Sequence, residues 1–222
     1  LVENNPINLD MREAGAMVHV TFGINIVVDT SSRHSGLFCG EFDKAWQASC
    51  SYVQKGYGLP IDYQADVVIA SCGGFPKDLN FYQSTKTLFN ASRAVKEGGT
   101  LIMLAECPEG SGSKDFFDWI KPFSKGCLDE ALRASFTIGG YIFYVACESI
   151  RRSKTLLLSS MEPELVRDMG VRSFKDMKDL LAEVDFNGKD VYVIPYGGSV
   201  LPQTKEAYER ICREAEENGG AK

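Results

Sequence analysis

The chain has 222 residues, 44% of them hydrophobic and 24% charged, with a formal net charge of −6. That composition fits one large globular domain, or one with an appendage, and excludes a disordered tail, a collagen-like fibre or a coiled coil as the main content. The acidic balance argues against nucleic acid as a partner, and no apolar run reaches the roughly 18–20 residues of a membrane span.

Ile7 to Val18 spaces Leu9, Met11, Ala14, Met17 and Val18 along one side of a predicted helix. Phe22–Asp29 reads as a strand, Ser31–Ser35 as a turn and Gly36–Cys39 as a short returning strand. Glu41 to Lys55 reads as a helix ending near Gly56. Ala65–Ser71 is a continuous apolar run of the kind buried on both faces of a parallel sheet. The turn Cys72–Pro76 follows, then a helix predicted from Asn80 to Lys96 with Gly98 and Gly99 past its end. Thr100–Ala105 is a second buried strand. Helices are predicted at Lys114–Ile120, Leu128–Ala134, Tyr141–Arg151, Met161–Met169, Phe174–Glu183 and Thr204–Glu217, with strands at Lys154–Ser159 and Asp190–Pro195. Strand and helix alternate, so the expected fold is α/β: a mostly parallel sheet with helices on both faces, a Rossmann-like layered domain. The expected division is a joining segment over residues 1–40, packed on a main domain over residues 41–222.

Seven cysteines, odd in number, widely spaced and without a C-x-x-C pair, read as reduced thiols in a cytoplasmic protein rather than as a disulfide framework or zinc cluster. Cys72 and Cys107 follow apolar strand-like runs, so one of them is a candidate to face a cleft, although nothing nearby marks either as a nucleophile. His19, at a predicted helix end, reads as a capping or packing residue, and His34 as an exposed turn residue. Neither has the partners of a Ser-His-Asp or Cys-His enzyme, and no metal-ligating residues are expected. The opening Leu1–Asn5 has no initiator Met and no signal sequence, and the chain reads as cut at the front.

In an open parallel sheet, ligands collect at the carboxyl ends of the strands. Three stretches are expected there: Ser71–Asp78 with Gly73 and Gly74, Glu106–Gly112, and Pro195–Ser199 with Tyr196. The helix after the first stretch places Tyr82, Gln83 and Lys86 on one side of its opening turns, while Phe81, Thr85, Leu88 and Phe89 take the core side. A helix N-terminus with an ammonium, a phenol and an amide suits a small carboxylate or phosphate. The same spacing is that of a solvated amphipathic face, and periodicity alone favours this second reading. Glu106, at a strand end, reads equally as a cleft carboxylate or a helix cap.

The run Gly73-Gly74-Phe75-Pro76-Lys77-Asp78-Leu79-Asn80-Phe81-Tyr82-Gln83-Ser84-Thr85-Lys86 resembles the nickel-dependent lactate racemase family. So do Ala94–Thr100 running into Ala105–Gly112, the early Asn5–Met11 and the closing Pro195–Pro202. The resemblance implies a C-terminal domain with its joining segment, the N-terminal domain being absent. It implies that the absent domain holds a nickel-pincer nucleotide and the acid–base histidines, with no cofactor expected on the present residues. The implied reaction racemises or epimerises a 2-hydroxy acid by hydride transfer. Tyr82, Gln83 and Lys86 match the family's substrate- and cofactor-facing residues, with Gly73 and Gly74 beside them and Glu106 and Tyr196 as possible cleft residues. The implied partners are the small 2-hydroxy acid and the missing N-terminal domain, with self-association of the fragment through the surface left bare. The chain alone is then inactive. Two positions depart from the pattern: Gly139-Gly140-Tyr141-Ile142 where Gly-Gly-His and a polar residue are expected, and Tyr196 where histidine is common. A nucleotide- or small-anion-binding module and a non-catalytic paralogue are the competing readings.

Overall fold

The computed structural model describes residues 5–31, 33–113 and 115–219. In chain order the elements are α1 (Pro6–Ala16), β1 (Gly23–Val28), β2 (His34–Gly40), α2 (Phe42–Tyr57), β3 (Gly58–Ile61), β4 (Ala65–Ser71), α3 (Phe81–Ala91), β5 (Val95–Leu104), α4 (Ile120–Ser124), α5 (Leu128–Ala134), α6 (Ile138–Arg151), β6 (Lys154–Leu158), α7 (Glu164–Arg167), β7 (Arg172–Phe174), α8 (Met177–Ala182), β8 (Val191–Ile194), β9 (Leu201–Thr204) and α9 (Lys205–Gly219). Single 3₁₀ turns lie at Phe117–Trp119 and Gly197–Ser199. The chain forms two compact units: Ile61–Gln203, and the chain before Ile61 together with that after Gln203. The sequence boundary at 40/41 falls inside the second of these, which also takes in α2 and α9.

The Ile61–Gln203 unit is built on a five-stranded parallel sheet of order β7-β6-β5-β4-β8. β4 and β5 are its central pair, in register from Val67↔Thr100 to Ser71↔Leu104. Their apolar runs are buried because both faces are covered. On one face, Val68, Ala70, Leu101, Met103 and Leu157 pack with Phe81 and Leu88 of α3 and Phe143 and Cys147 of α6. On the other, Val67, Ile102 and Leu156 pack with Leu180 of α8. Burying one Leu or Phe in this way is worth about 1.5–3 kcal/mol. The expected α/β architecture with helices on both faces is therefore present.

Local chemistry sets the helix starts. Asn80 caps α3, its side-chain oxygen accepting from the Gln83 amide at 3.0 Å. Thr137 caps α6 through Gly140 N at 3.0 Å, and Asp176 caps α8. Several boundaries differ from the sequence expectation. The helix predicted to Lys96 ends at Ala91, because Val95 pairs with Ala65 and Lys96 reaches Asp66 at 2.9 Å, pulling residues 95–99 into β5. Gly98, at φ +74°, would interrupt any longer helix. The helix predicted over 161–169 is one turn, α7, and Phe174 is the end of β7, paired with Leu158. Of the predicted 114–120 helix, Lys114 lies outside the described residues, and 117–119 is a 3₁₀ turn leading into α4.

In the other unit, β1 and β2 form an antiparallel hairpin with Ile24 opposite Cys39 and Ile26 opposite Leu37. α2 covers one face, with Tyr52 donating to Ser35 O at 2.6 Å and Tyr57 to Val28 O at 2.7 Å, and α9 packs on α2. The opposite face presents Ile24, Ile26, Val28 and Leu37, all at least 50% exposed. His19 is exposed beyond α1, whose C-cap is Met17, so it neither caps nor packs. His34 is exposed in β2.

Candidate functional site

The sheet order contains one topological switch point. From β4 the chain moves outward through β5, β6 and β7, then returns to lay β8 on the other side of β4. Ligand crevices open outside the carboxyl ends of the two strands at such a point. Here those ends continue into Gly73-Gly74 after β4 and Tyr196-Gly197-Gly198-Ser199 after β8.

These two segments and α3 meet closely. Gly73 has φ +87°, and a Cβ there would lie 3.0 Å from the Tyr196 ring, so the absent side chain is what lets that ring approach. Gly197 rests on Thr87, where a Cβ would come within 2.6 Å of the threonine methyl. Asn90 donates to Gly197 O at 3.0 Å. Gly198 faces Lys86, whose Cβ is 4.0 Å from the position a Gly198 Cβ would take. Lys86 is exposed, and its Nζ donates to Gln83 Oε1 at 2.8 Å. On the far side of the turn, Lys77 Nζ donates to Ser199 Oγ at 3.0 Å. Tyr196 is 49% exposed.

The expected residues divide. Gln83, Lys86, Gly73 and Tyr196 gather at the switch point. Tyr82 is half-buried in the core cluster, its ring edge-on to Phe116 at 5.9 Å. Gly74 and Glu106 instead line a groove on the other side of β4, with Ser71, Asp78, Leu104, Leu158, Ser159, Ser160 and Lys175. Glu106 caps no helix among the described residues; its backbone amide donates to Asp78 at 3.3 Å, and its carbonyl accepts from Ser159 and Ser160. The pair Lys77–Ser199 was not singled out by sequence reasoning. Its two members are 122 residues apart, and only the β4–β8 pairing brings them together.

Cysteine and the Gly139-Gly140 pair occupy other parts of the unit. Cys72 and Cys107 are buried beneath the strand ends rather than facing a cleft. Burial pushes both thiols up, Cys107 to about 11, although Ser84 beside each opposes the shift. Thiols held protonated in this way are poor nucleophiles. Gly139 and Gly140 form a seat at the start of α6: a Cβ on Gly139 would fall 2.5 Å from Asp115 Oδ1, and one on Gly140 2.4 Å from the Trp119 ring. Asp115 accepts from Thr137 at 2.7 Å and from Ser113 at 2.8 Å, which holds its carboxyl below the usual range. Among the described residues no three His, Cys, Asp or Glu side chains converge to hold a metal, and no helix is long and apolar enough to cross a membrane.

The chain is similar to known proteins over most of its length. Residues 61–201 match the family model for the lactate racemase C-terminal domain. The lactate racemase of Thermoanaerobacterium thermosaccharolyticum is 32% identical over 219 residues, covering 92% of this chain and 50% of that protein. The lactate racemase of Lactiplantibacillus plantarum is 27% identical, covering 89% of this chain and 49% of that protein. The solved T. thermosaccharolyticum lactate racemase apoprotein superposes with a TM-score of 0.82 at 30% identity, covering 91% of this chain and 51% of the other. A Thermotoga maritima crystal structure, at 14% identity and a TM-score of 0.64, shares the fold. The chain thus spans about half the length of the curated relatives it matches.

Proposed function

The chain belongs to the lactate racemase C-terminal domain family, and on that premise we propose that it is the substrate-cleft portion of a cytoplasmic isomerase that racemises or epimerises a 2-hydroxy acid. The observation that carries this reading is Lys86 beside Gln83 at the β4–β8 switch point, an ammonium held by an amide and open to solvent. An ammonium so placed holds a substrate carboxylate, or polarises the oxygen that gains carbonyl character at C2. Gln83 fixes the rotamer of Lys86 and retains its amide protons for the same ligand. Tyr82, packed on Phe116, stiffens the turn that carries both.

The chemistry at carbon falls to other residues. Both histidines of this chain lie before residue 61, outside the unit that carries Lys86. Among the described residues no three His, Cys, Asp or Glu side chains gather, so this chain's own groups do not fit a nickel site. In this proposal a nickel-pincer nucleotide and the acid–base pair belong to the half of the relatives that this chain does not match, and the chain alone is inactive. The bare hairpin face of Ile24, Ile26, Val28 and Leu37 supports a missing packing partner of that kind.

The test is a chimera in which this chain replaces the matched half of the T. thermosaccharolyticum lactate racemase. Interconversion of D- and L-lactate, or of another 2-hydroxy acid, is expected from the folded chimera and not from the chain alone. A folded, nickel-loaded chimera that turns over none of a panel of 2-hydroxy acids would favour the non-catalytic reading.

A further inference from the structure

We propose that Asn90 is a positioning residue for the reaction proposed above: its side chain fixes the Gly197–Ser199 turn against α3, and the turn in turn holds Lys86 where it meets the substrate carboxylate. This role rests on the functional reading, and Asn90 acts through Lys86 rather than on the substrate.

Gln83, Lys86, Thr87 and Asn90 follow one another at the i, i+3, i+4, i+7 spacing of a single helix stripe. The first two carry the candidate ligand groups, and the last two carry the turn. Gly197 is buried. A Cβ there would stand 2.6 Å from Thr87 Cγ2 and 3.4 Å from both Ala70 Cβ and Ser71 O, so the backbone of the turn lies directly on α3 and the end of β4. Gly198 comes next, with Lys86 Cβ 4.0 Å from its own Cβ position. The turn is thus the surface against which the Lys86 stem rests.

Two consecutive glycines have no side chains with which to hold a place, and they lose more conformational freedom on ordering than any other residue. Ser199 N donates to Tyr196 O at 2.9 Å, a bond that shapes the turn but does not locate it. Its location comes from outside. Asn90 Nδ2 donates to the carbonyl of buried Gly197 at 3.0 Å, while Lys77 reaches Ser199 Oγ from the exposed side. A buried carbonyl left without a donor is costly, and an exposed one turns to water, so the Asn90 bond is the stronger constraint. Thr85 and Ser92 turn their hydroxyls back onto carbonyls of α3 itself, whereas Asn90 reaches a residue 107 positions away. Without that donor the turn loosens from α3, Gly198 no longer backs Lys86, and the ammonium leaves Gln83. Lys86 is still present, so ground state and transition state lose the same preorganisation, which raises KM and keeps kcat.

The experiment places Asn90→Leu, which keeps the size of the side chain and removes its donor, in the lactate racemase chimera. KM for L-lactate is expected to rise about fivefold to tenfold, the equivalent of one hydrogen bond, with kcat within about twofold of the unsubstituted chimera. Asn90→Ala, which a half-buried helix position accepts, carries the same expectation if the leucine variant fails to fold. Ser92→Ala is the control: it removes a hydrogen bond from the same end of α3 without touching the turn, and KM is expected to stay within about twofold. In the whole chain, hydrogen exchange at the Ser199 amide is expected to be about tenfold faster in the Asn90 variants, with the amides of β4 unchanged. The proposal is overturned if the Asn90 variants leave KM as it was, if kcat falls while KM holds, if Ser92→Ala raises KM equally, or if Ser199 exchange does not change. An unsubstituted chimera without turnover, together with faster Ser199 exchange in the variants, would instead sink the functional reading and spare the hold of Asn90 on the turn.

Discussion

Replacing Gly139 by alanine sets two opposed effects against each other. Alanine favours a helix over glycine by about 1 kcal/mol, which alone would make the variant more stable. The added methyl carbon, however, would lie 2.5 Å from Asp115 Oδ1, 2.7 Å from Oδ2 and 2.8 Å from Cγ. The carboxylate must move, and it leaves the Thr137 and Ser113 hydroxyls behind. Crowding of this kind costs about 1–3 kcal/mol, and a hydrogen bond to a charged group about 1.5–3 kcal/mol. The clash therefore outweighs the propensity gain, by about 2–4 kcal/mol. At roughly 2–4 °C per kcal/mol for a chain of this size, the melting midpoint followed by circular dichroism falls by several degrees. Gly56→Ala is the control: it lies in the last turn of α2 with nothing within 4 Å of its Cβ position, and it is expected to be neutral or stabilising. A Gly139→Ala protein as stable as the parent would refute the reasoning that the glycine exists to seat Asp115.

Two other outcomes follow from the same coordinates. The Cys107 thiol ionises near 9 when unfolded and is pushed up to about 11 by burial in the fold. Between those values the unfolded chain has released a proton that the folded chain retains, so the stability this thiol contributes is complete below about pH 9 and is lost toward pH 11. The loss is on the order of 2–3 kcal/mol, and urea titrations against pH should show a shallower alkaline decline in Cys107→Ala; parallel curves would contradict it. The bare face of Ile24, Ile26, Val28 and Leu37 should make the chain self-associate as its concentration rises, with Ile26→Lys reducing the effect in sedimentation velocity. A clean monomer at every concentration would count against that surface as an interface.

The parts of the molecule legible in sequence were those fixed by local pattern. β4 coincides with its apolar run, α5 with its predicted bounds, and the core side of α3 holds Phe81, Leu88 and Thr85 as the spacing indicates. Elements made by pairing rather than pattern were not legible. β7 has three residues and exists because β6 offers it an edge, and residues 95 and 96, the end of the predicted helix, belong to β5 because of a pairing with β4 that local pattern does not show. The site divides in the same way. Gln83 and Lys86 share a helix face that spacing alone predicts, and they bond. Tyr82 lies on the border of that face, and Phe116, 34 residues away, draws its ring to the core. Glu106 and Gly74 follow strand ends as the sequence indicates, but they open on the groove across β4 rather than beside Lys86. Lys77 acquires a partner only through a contact that no local rule can see.

Lys86→Met in the lactate racemase chimera tests the central claim most directly. Removing a charged donor aimed at the reacting substrate lowers turnover about 10²–10³-fold, and the account predicts a loss of that size in a chimera whose fold and nickel content are unchanged. A rate within twofold of the unsubstituted chimera would contradict it.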